Sequence, residues 1–472
     1  MLERLLDLSA DHFKADPETL NWGHVGNLEF YASQLRSITD AAFWEDVDRH
    51  VLRYTPTLSP VIVERAEGSI LHLSDGREVI DFTSGQMSAI LGHGHPDIVR
   101  TVAAATQDLA HIFSGMLSRP VVDFARRLAD TLPAPLEKTL LLTTGAESNE
   151  AAIRLAKAAT GRSEIVALSR AWHGMTLGAV SATYSAGRKG YGPAAPGNFV
   201  LPTPDPYRPD VVGPDGELDW KTQLDLGFSI IDAQSTGDLA ACLVEPILSS
   251  GGIIVPPKGW LAALRDKCHE RGMLLIFDEA QTGFCRTGDM YGFEDEGVVP
   301  DILTLSKTLG AGLPAAAVVT SAEIEARAHA AGFLFFTTHV SDPLAASVAN
   351  TVLDVLERDD MGAQVREKGA HFHTALKGLM DRHAVVGDVR GRGLMQGVEL
   401  VLDRETKTGA PALGVAVTSR CLELGLHTNV VQLGDMGGVL RIAPALTTTV
   451  DELDRGVAIL DQALADVAPA FV

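Results

Sequence analysis

The sequence predicts an α/β fold: a large domain on a mainly parallel sheet, with small N- and C-terminal α+β parts. Three observations predict it. The 472 residues can bury a large core and should divide into a major domain and smaller ones. Between Thr139 and Leu305, apolar runs of strand length alternate with amphipathic segments of helix length, the pattern of a sheet covered by helices. On either side of that stretch the pattern changes to hairpin-like runs and a long helical pair.

Residues 1–40 are expected to be an N-terminal extension, partly helical and packed on a partner subunit. Its first residues are acidic and lack a long apolar region before a small-residue cleavage site, so no signal peptide is expected. Residues 41–92 are expected to be the N-terminal segment of the small domain. They offer a short helix from Phe43 and two runs, 69–73 and 78–82, joined at Asp75 and Gly76 as a hairpin. Residues 93–345 are the expected large domain, with strands at 139–143, 164–168, 199–201, 240–245, 273–277 and 302–305. Residues 346–472 are the expected C-terminal small domain. The helical pair 343–358 and 361–382 leads into it, followed by antiparallel runs at 385–390, 393–400 and 439–444 and helices at 413–424 and 450–467. The longest loop, 202–219, is rich in Pro, Gly and Asp and is expected to be mobile.

The formal net charge of −22 argues against nucleic acid or an anionic membrane as partner. No apolar run is long enough to span a bilayer. The four cysteines stand without metal or CxxC spacing, so a reduced, cytoplasmic protein is expected. Cys242 and Cys421 sit in apolar patterns and read as packing residues. His93 and His95 stand two apart, but no further ligand follows at metal spacing. They read as turn and helix-start residues.

Two apolar runs end in chemistry. Residues 273–278 end in Asp278, and residues 302–307 deliver Lys307 into a Gly- and Pro-rich turn. The chain between them is long enough for one crossover, which brings both to the same edge of a parallel sheet. A lysine beside an acid there suits pyridoxal phosphate (PLP): the lysine forms the Schiff base, and the acid keeps the pyridine nitrogen protonated. Gln281, three residues past Asp278, can reach the phenolic oxygen if the turn is helical. Residues 144–149, Thr-Gly-Ala-Glu-Ser-Asn, join a strand to a helix start, where the helix's free amide groups can cradle a phosphate and glycine permits close backbone approach. Trp172 follows the next strand, where an indole can stack on a pyridine ring. Arg441 stands alone in an apolar run and suits a substrate carboxylate.

In this order the motifs resemble the class III (subgroup II) aminotransferases of PLP fold type I, over roughly residues 42 to 468. The closer resemblance is to the 2,2-dialkylglycine decarboxylase branch. It is carried by the phrases at 81–89, 111–122, 172–175, 245–252 and 337–342. The resemblance implies decarboxylation-coupled transamination of 2,2-dialkylglycines such as 2-aminoisobutyrate, with pyruvate as amino acceptor. The alternative is transamination of amino acids or simple amines without decarboxylation. A binding or regulatory protein of the same fold, its chemistry lost, is disfavoured by the presence of Lys307, Asp278 and Arg441.

Carried over residue by residue, the resemblance implies Lys307 as Schiff-base lysine, Asp278 on the pyridine nitrogen and Gln281 on the phenolic oxygen. Gly145 and Ala146 would hold the phosphate, joined by Thr338 from the other subunit of a homodimer, with tetramers as a further level. Arg441 and Ser250 would orient the substrate carboxylate, with Gln86 and Trp172 near the scissile bond. An alkali metal ion, potassium or sodium, would be held by Ile112, Ser114, Thr338, Val340 and Asp342. A second, structural ion would sit near 129–136. The sequence departs from the family pattern in its first forty residues, at Cys285 where glycine is usual, and at Phe336 where tyrosine is expected.

Overall fold

The computed structural model describes residues 40–55, 58–186, 188, 190–431 and 438–471. All of the expected N-terminal extension except Asp40 lies outside them.

Seven strands form the central sheet: β4 (Lys138–Leu142), β5 (Glu164–Leu168), β6 (Asn198–Leu201), β7 (Leu239–Val244), β8 (Leu274–Asp278), β9 (Ile302–Leu305) and β10 (Ala316–Thr320). Their order is β4-β10-β9-β8-β7-β5-β6. β6, β5, β7, β8 and β9 pair in parallel, while β10 runs antiparallel to both neighbours. The strands β5, β7, β8, β9 and β10 are buried at every position. They therefore read as continuous apolar runs, not as alternation. The sequence reading passes over β10, since Ala316–Thr320 follows a Gly- and Pro-rich turn and looks like its continuation.

The N-terminal hairpin is as expected. β1 (Val63–Glu67), β2 (Ile70–Leu73) and β3 (Glu78–Asp81) are antiparallel, and Gly76 supplies φ 85 in the turn. A fourth strand, Leu426–His427, comes from the far end of the chain and pairs parallel with β3. The two ends of the chain thus build one body. Asp81 stitches it: this buried carboxylate meets His93 Nε2 at 3.0 Å and His427 Nδ1 at 3.2 Å and accepts from the Thr83 hydroxyl. His95 caps the helix Pro96–Asp108, so the two histidines are turn and helix-start residues.

The C-terminal strands Val386–Arg392, Met395–Asp403, Gly438–Ile442 and Asn429–Val431 form an antiparallel sheet. The expected helices occur as Pro343–Arg358, Met361–Arg382, Pro411–Leu424 and Val450–Val467. The 202–219 loop is tied to the C-terminal sheet: Arg208 meets the buried Glu399 at 2.6 Å, and Lys407 Nζ donates to Tyr207 O at 2.6 Å. These partners lie far along the chain, so loop composition alone does not reveal them. No helix among the described residues is long and apolar enough to cross a membrane.

Candidate active site

The carboxyl ends of the parallel strands converge on one edge of the sheet. Asp278 is the last residue of β8, and Thr304 of β9 is its register partner. Lys307 follows three residues later in a tight turn with φ 33, a conformation that L-residues hold only when their surroundings enforce it. Asp278 is buried. Its Oδ2 accepts from Asn149 Nδ2 at 2.7 Å and lies 2.9 Å from His173 Nδ1, and its Oδ1 accepts from Ala280 N at 3.1 Å. Burial pushes its carboxyl up, but His173, the charge of Lys307 and Asn149 together bring it below the usual carboxylate range. Asp278 is thus held as an anion. Burial lowers the Lys307 amine, Asp278 opposes that, and the charge of Arg441 adds to it. A lowered amine pKa suits a group that must give and take protons.

Next to this pair is an anion cradle. The helix Gly145–Thr160 starts at the Thr144 cap, whose side chain accepts from Glu147 N. Its first backbone N–H groups are free of helical partners by geometry. The backbones around it are packed too closely for side chains: a Cβ on Gly145 would meet Ser306 Oγ at 2.7 Å, and one on Gly174 would meet Ala146 Cβ at 2.5 Å. Ser306 Oγ is buried with no hydrogen-bond partner among the described residues. An orphaned hydroxyl beside a helix N-terminus fits a phosphate. With Asp278 and Lys307, the residues present fit PLP.

On the substrate side, Arg441 is next to last in the strand Gly438–Ile442 and buried, and Nη1 donates to Ser250 Oγ at 3.1 Å. Burial pulls its guanidinium down to about 10, against the favourable charge of Glu245. Glu245 accepts from Trp172 N and Ser249 N, both at 3.0 Å, and burial pushes its carboxyl up to about 7. Trp172 is only half-buried, so it is not a core tryptophan. Gln281 Oε1 lies 2.6 Å from Ser249 Oγ. Gln86 is exposed and sits in a run of four residues with positive φ, from Ser84 to Met87. Ser88 Oγ donates to Lys307 O at 3.3 Å, which docks that run on the lysine turn.

Sequence reasoning missed Asn149, His173, Ser249 and Ser306. Asn149 and His173 stand inside quoted motifs, one helical turn past Gly145 and one residue past Trp172. Ser249 and Ser306 also stand inside quoted runs, 245–252 and 302–307, but a serine in a turn looks like any other until its partner is known.

Of the expected ion ligands, Ser114 and Thr338 come together: Ser114 Oγ donates to Thr337 O at 2.9 Å and Thr338 O at 3.1 Å. Asp342 instead meets two imidazoles, His111 Nδ1 and His339 Nδ1, each at 2.5 Å. Among the described residues no hydrogen bond joins Thr338 to the Gly145 turn within one chain. Cys285 has φ 66, which explains why glycine suits that position. It lines a separate cavity of about 340 Å³ with Met290, Arg366 and Thr131, among others, and Thr131 belongs to the segment expected to hold the structural ion.

The profile of the class III aminotransferases matches residues 53–464. The chain belongs to that family. It is 49% identical to an uncharacterized aminotransferase of Schizosaccharomyces pombe over 92% of this chain and 97% of that one. Among solved structures it resembles an (S)-enantioselective omega-transaminase from Thermomicrobium roseum, with TM-score 0.80, 30% identity, and coverage of 90% of this chain and 97% of that one. It also resembles a PLP-bound amine transaminase from an uncultivated Pseudomonas species, with TM-score 0.79, 28% identity, and coverage of 89% and 97%. The sheet order and the fold type I architecture of this aminotransferase family agree with the expected fold class.

Proposed function

We propose that this class III aminotransferase uses PLP to move an amino group from a carboxylate-bearing amine to a keto acid such as pyruvate, and that it decarboxylates 2,2-dialkylglycines in doing so. Bound PLP supplies an electron sink for a bond broken at the substrate's alpha carbon. Lys307 holds the cofactor at rest and then serves as proton donor and acceptor. Asp278, kept ionised, holds a proton on the pyridine nitrogen. Gln281 offers its amide to the phenolic oxygen, while Trp172 covers the ring. Gly145, Ala146 and Ser306 take the phosphate, joined by Thr338 of a second copy. Arg441 and Ser250 bind the substrate carboxylate.

The observation that favours decarboxylation is Gln86. A strained, exposed amide docked against the lysine turn suits a group that holds one particular substituent of the alpha carbon out of the ring plane, where its bond breaks. The second reading is amino transfer without decarboxylation, favoured by the names of the similar structures, which are transaminases. The test is incubation of PLP-loaded protein with 2-aminoisobutyrate and pyruvate, assayed for carbon dioxide and acetone. Release of both supports the decarboxylase reading. Alanine turnover without either leaves the second.

A homodimer with shared sites is part of the proposal. Phe113 and Phe336 are exposed, with ring centroids 6.2 Å apart, beside Thr338, and such an apolar surface suits a second copy. The oxygen donors of Ser114, Thr338 and Asp342 suit an alkali ion. The four free cysteines are all buried, in accord with a cytoplasmic location.

A further inference from the structure

We infer that Ser249 is a positioning residue that fixes which end of the Gln281 amide faces the cofactor. The inference rests on the proposed role of Gln281 and deepens it.

Ser249 is completely buried, and its main chain is committed. Its N–H donates to Glu245 Oε2 at 3.0 Å, and its carbonyl accepts from Gly252 N at 3.0 Å and Ile253 N at 3.2 Å. The hydroxyl therefore points from a rigid turn. It lies 2.6 Å from Gln281 Oε1, a distance that fits O–H···O and is short for N–H···O. Were the amide reversed, its NH2 would donate to the serine oxygen. The serine proton would then have only Met87 Sδ, at 4.0 Å, a weak acceptor. The arrangement that satisfies both residues has Ser249 donating and Gln281 accepting.

The consequence is directional. With Oε1 held by Ser249, the NH2 is the group Gln281 presents elsewhere, and no hydrogen bond among the described residues engages it. A donor is what the anionic phenolic oxygen of PLP needs; the amide oxygen there would repel it. Glu245 completes the device, because the same carboxylate that holds Ser249 N also holds Trp172 N. One turn after β7 thus orients the group over the ring and the group at its edge.

The test is the pH titration of the visible absorption band of PLP-loaded protein. Donation to the phenolic oxygen stabilises its negative charge and lowers the pH at which the lysine–cofactor link deprotonates. Gln281→Ala should raise that midpoint. Ser249→Ala, which frees the amide to turn, should raise it too, by about one pH unit or less. The double variant should move no further than Gln281→Ala alone. Ser249→Cys, close in size but a weak donor, should shift the midpoint in the same direction, and it serves if the alanine variant does not fold. A shift in Gln281→Ala with none in the Ser249 variants overturns the inference and leaves the role of Gln281 standing. No shift in any variant removes both.

Discussion

Asn149 donates to the carboxylate of Asp278 at 2.7 Å and accepts from the Thr304 hydroxyl at 2.8 Å. One side chain of the helix Gly145–Thr160 therefore ties the ends of β8 and β9, the two strands that deliver the acid and the lysine. Because its oxygen is taken by Thr304, its NH2 must face Asp278, and the buried charge gains a donor of fixed direction.

Asn149→Ala should weaken PLP binding. Removing a hydrogen bond to a buried carboxylate costs about 1–3 kcal/mol, or roughly 10- to 100-fold in affinity. Equilibrium dialysis of cofactor from the variant measures it. Unchanged affinity would mean that His173 alone suffices to hold the charge.

Lys307→Ala should lose turnover by several orders of magnitude and still bind PLP without a covalent link. Loss of the visible band, with cofactor retained on a desalting column, is the expected record. Full activity would end the assignment.

Arg441→Lys should raise KM for carboxylate-bearing substrates about 10- to 100-fold, because a point charge replaces a buried fork of donors. Amines without a carboxylate should be nearly unaffected. Steady-state kinetics on an amino acid and on its decarboxylated amine separate the two. Equal losses on both would place Arg441 in the scaffold.

Gln86→Ala should reduce carbon dioxide release from 2-aminoisobutyrate about tenfold or more, with a smaller loss in alanine–pyruvate transamination. Paired assays on one preparation give the ratio. A ratio equal to that of the unaltered protein would remove its special role.

Asp81 ties the two ends of the chain, and a pH dependence follows from it. Burial raises its carboxyl, but hydrogen bonds from His427, His93 and Thr83 outweigh burial and lower it strongly. A carboxyl depressed in the folded state stabilises above its unfolded value, and that stability is lost as pH falls below about 4. Asp81→Asn should therefore cost about 2–3 kcal/mol near neutral pH, and the gap to the unaltered protein should narrow on acidification. Thermal melts at pH 7 and below pH 4 check both signs.

Most of the layered fold was legible because buried parallel strands are apolar along their whole length, as in Leu274–Asp278 and Ile302–Leu305. Their polar ends then stand out. Lys307, Asp278 and Arg441 were visible for that reason, each a single charge at the end or middle of an apolar run. β10 was hidden by the turn before it. The pinning of the 202–219 loop was hidden because Arg208 and Glu399 are linked only through space.

By itself the sequence determined the strand–helix alternation, the family motifs and the residue types that suit PLP, since periodicity and local turn chemistry are properties of neighbours along the chain. The tertiary structure decided which groups face one another. It set Asn149 and His173 against Asp278, Ser249 against Gln281, the Gln86 turn against Lys307, and Asp342 against two histidines. Those pairings depend on sheet order and on where distant loops cross, and a buried polar group takes whichever partner packing brings within about 3 Å.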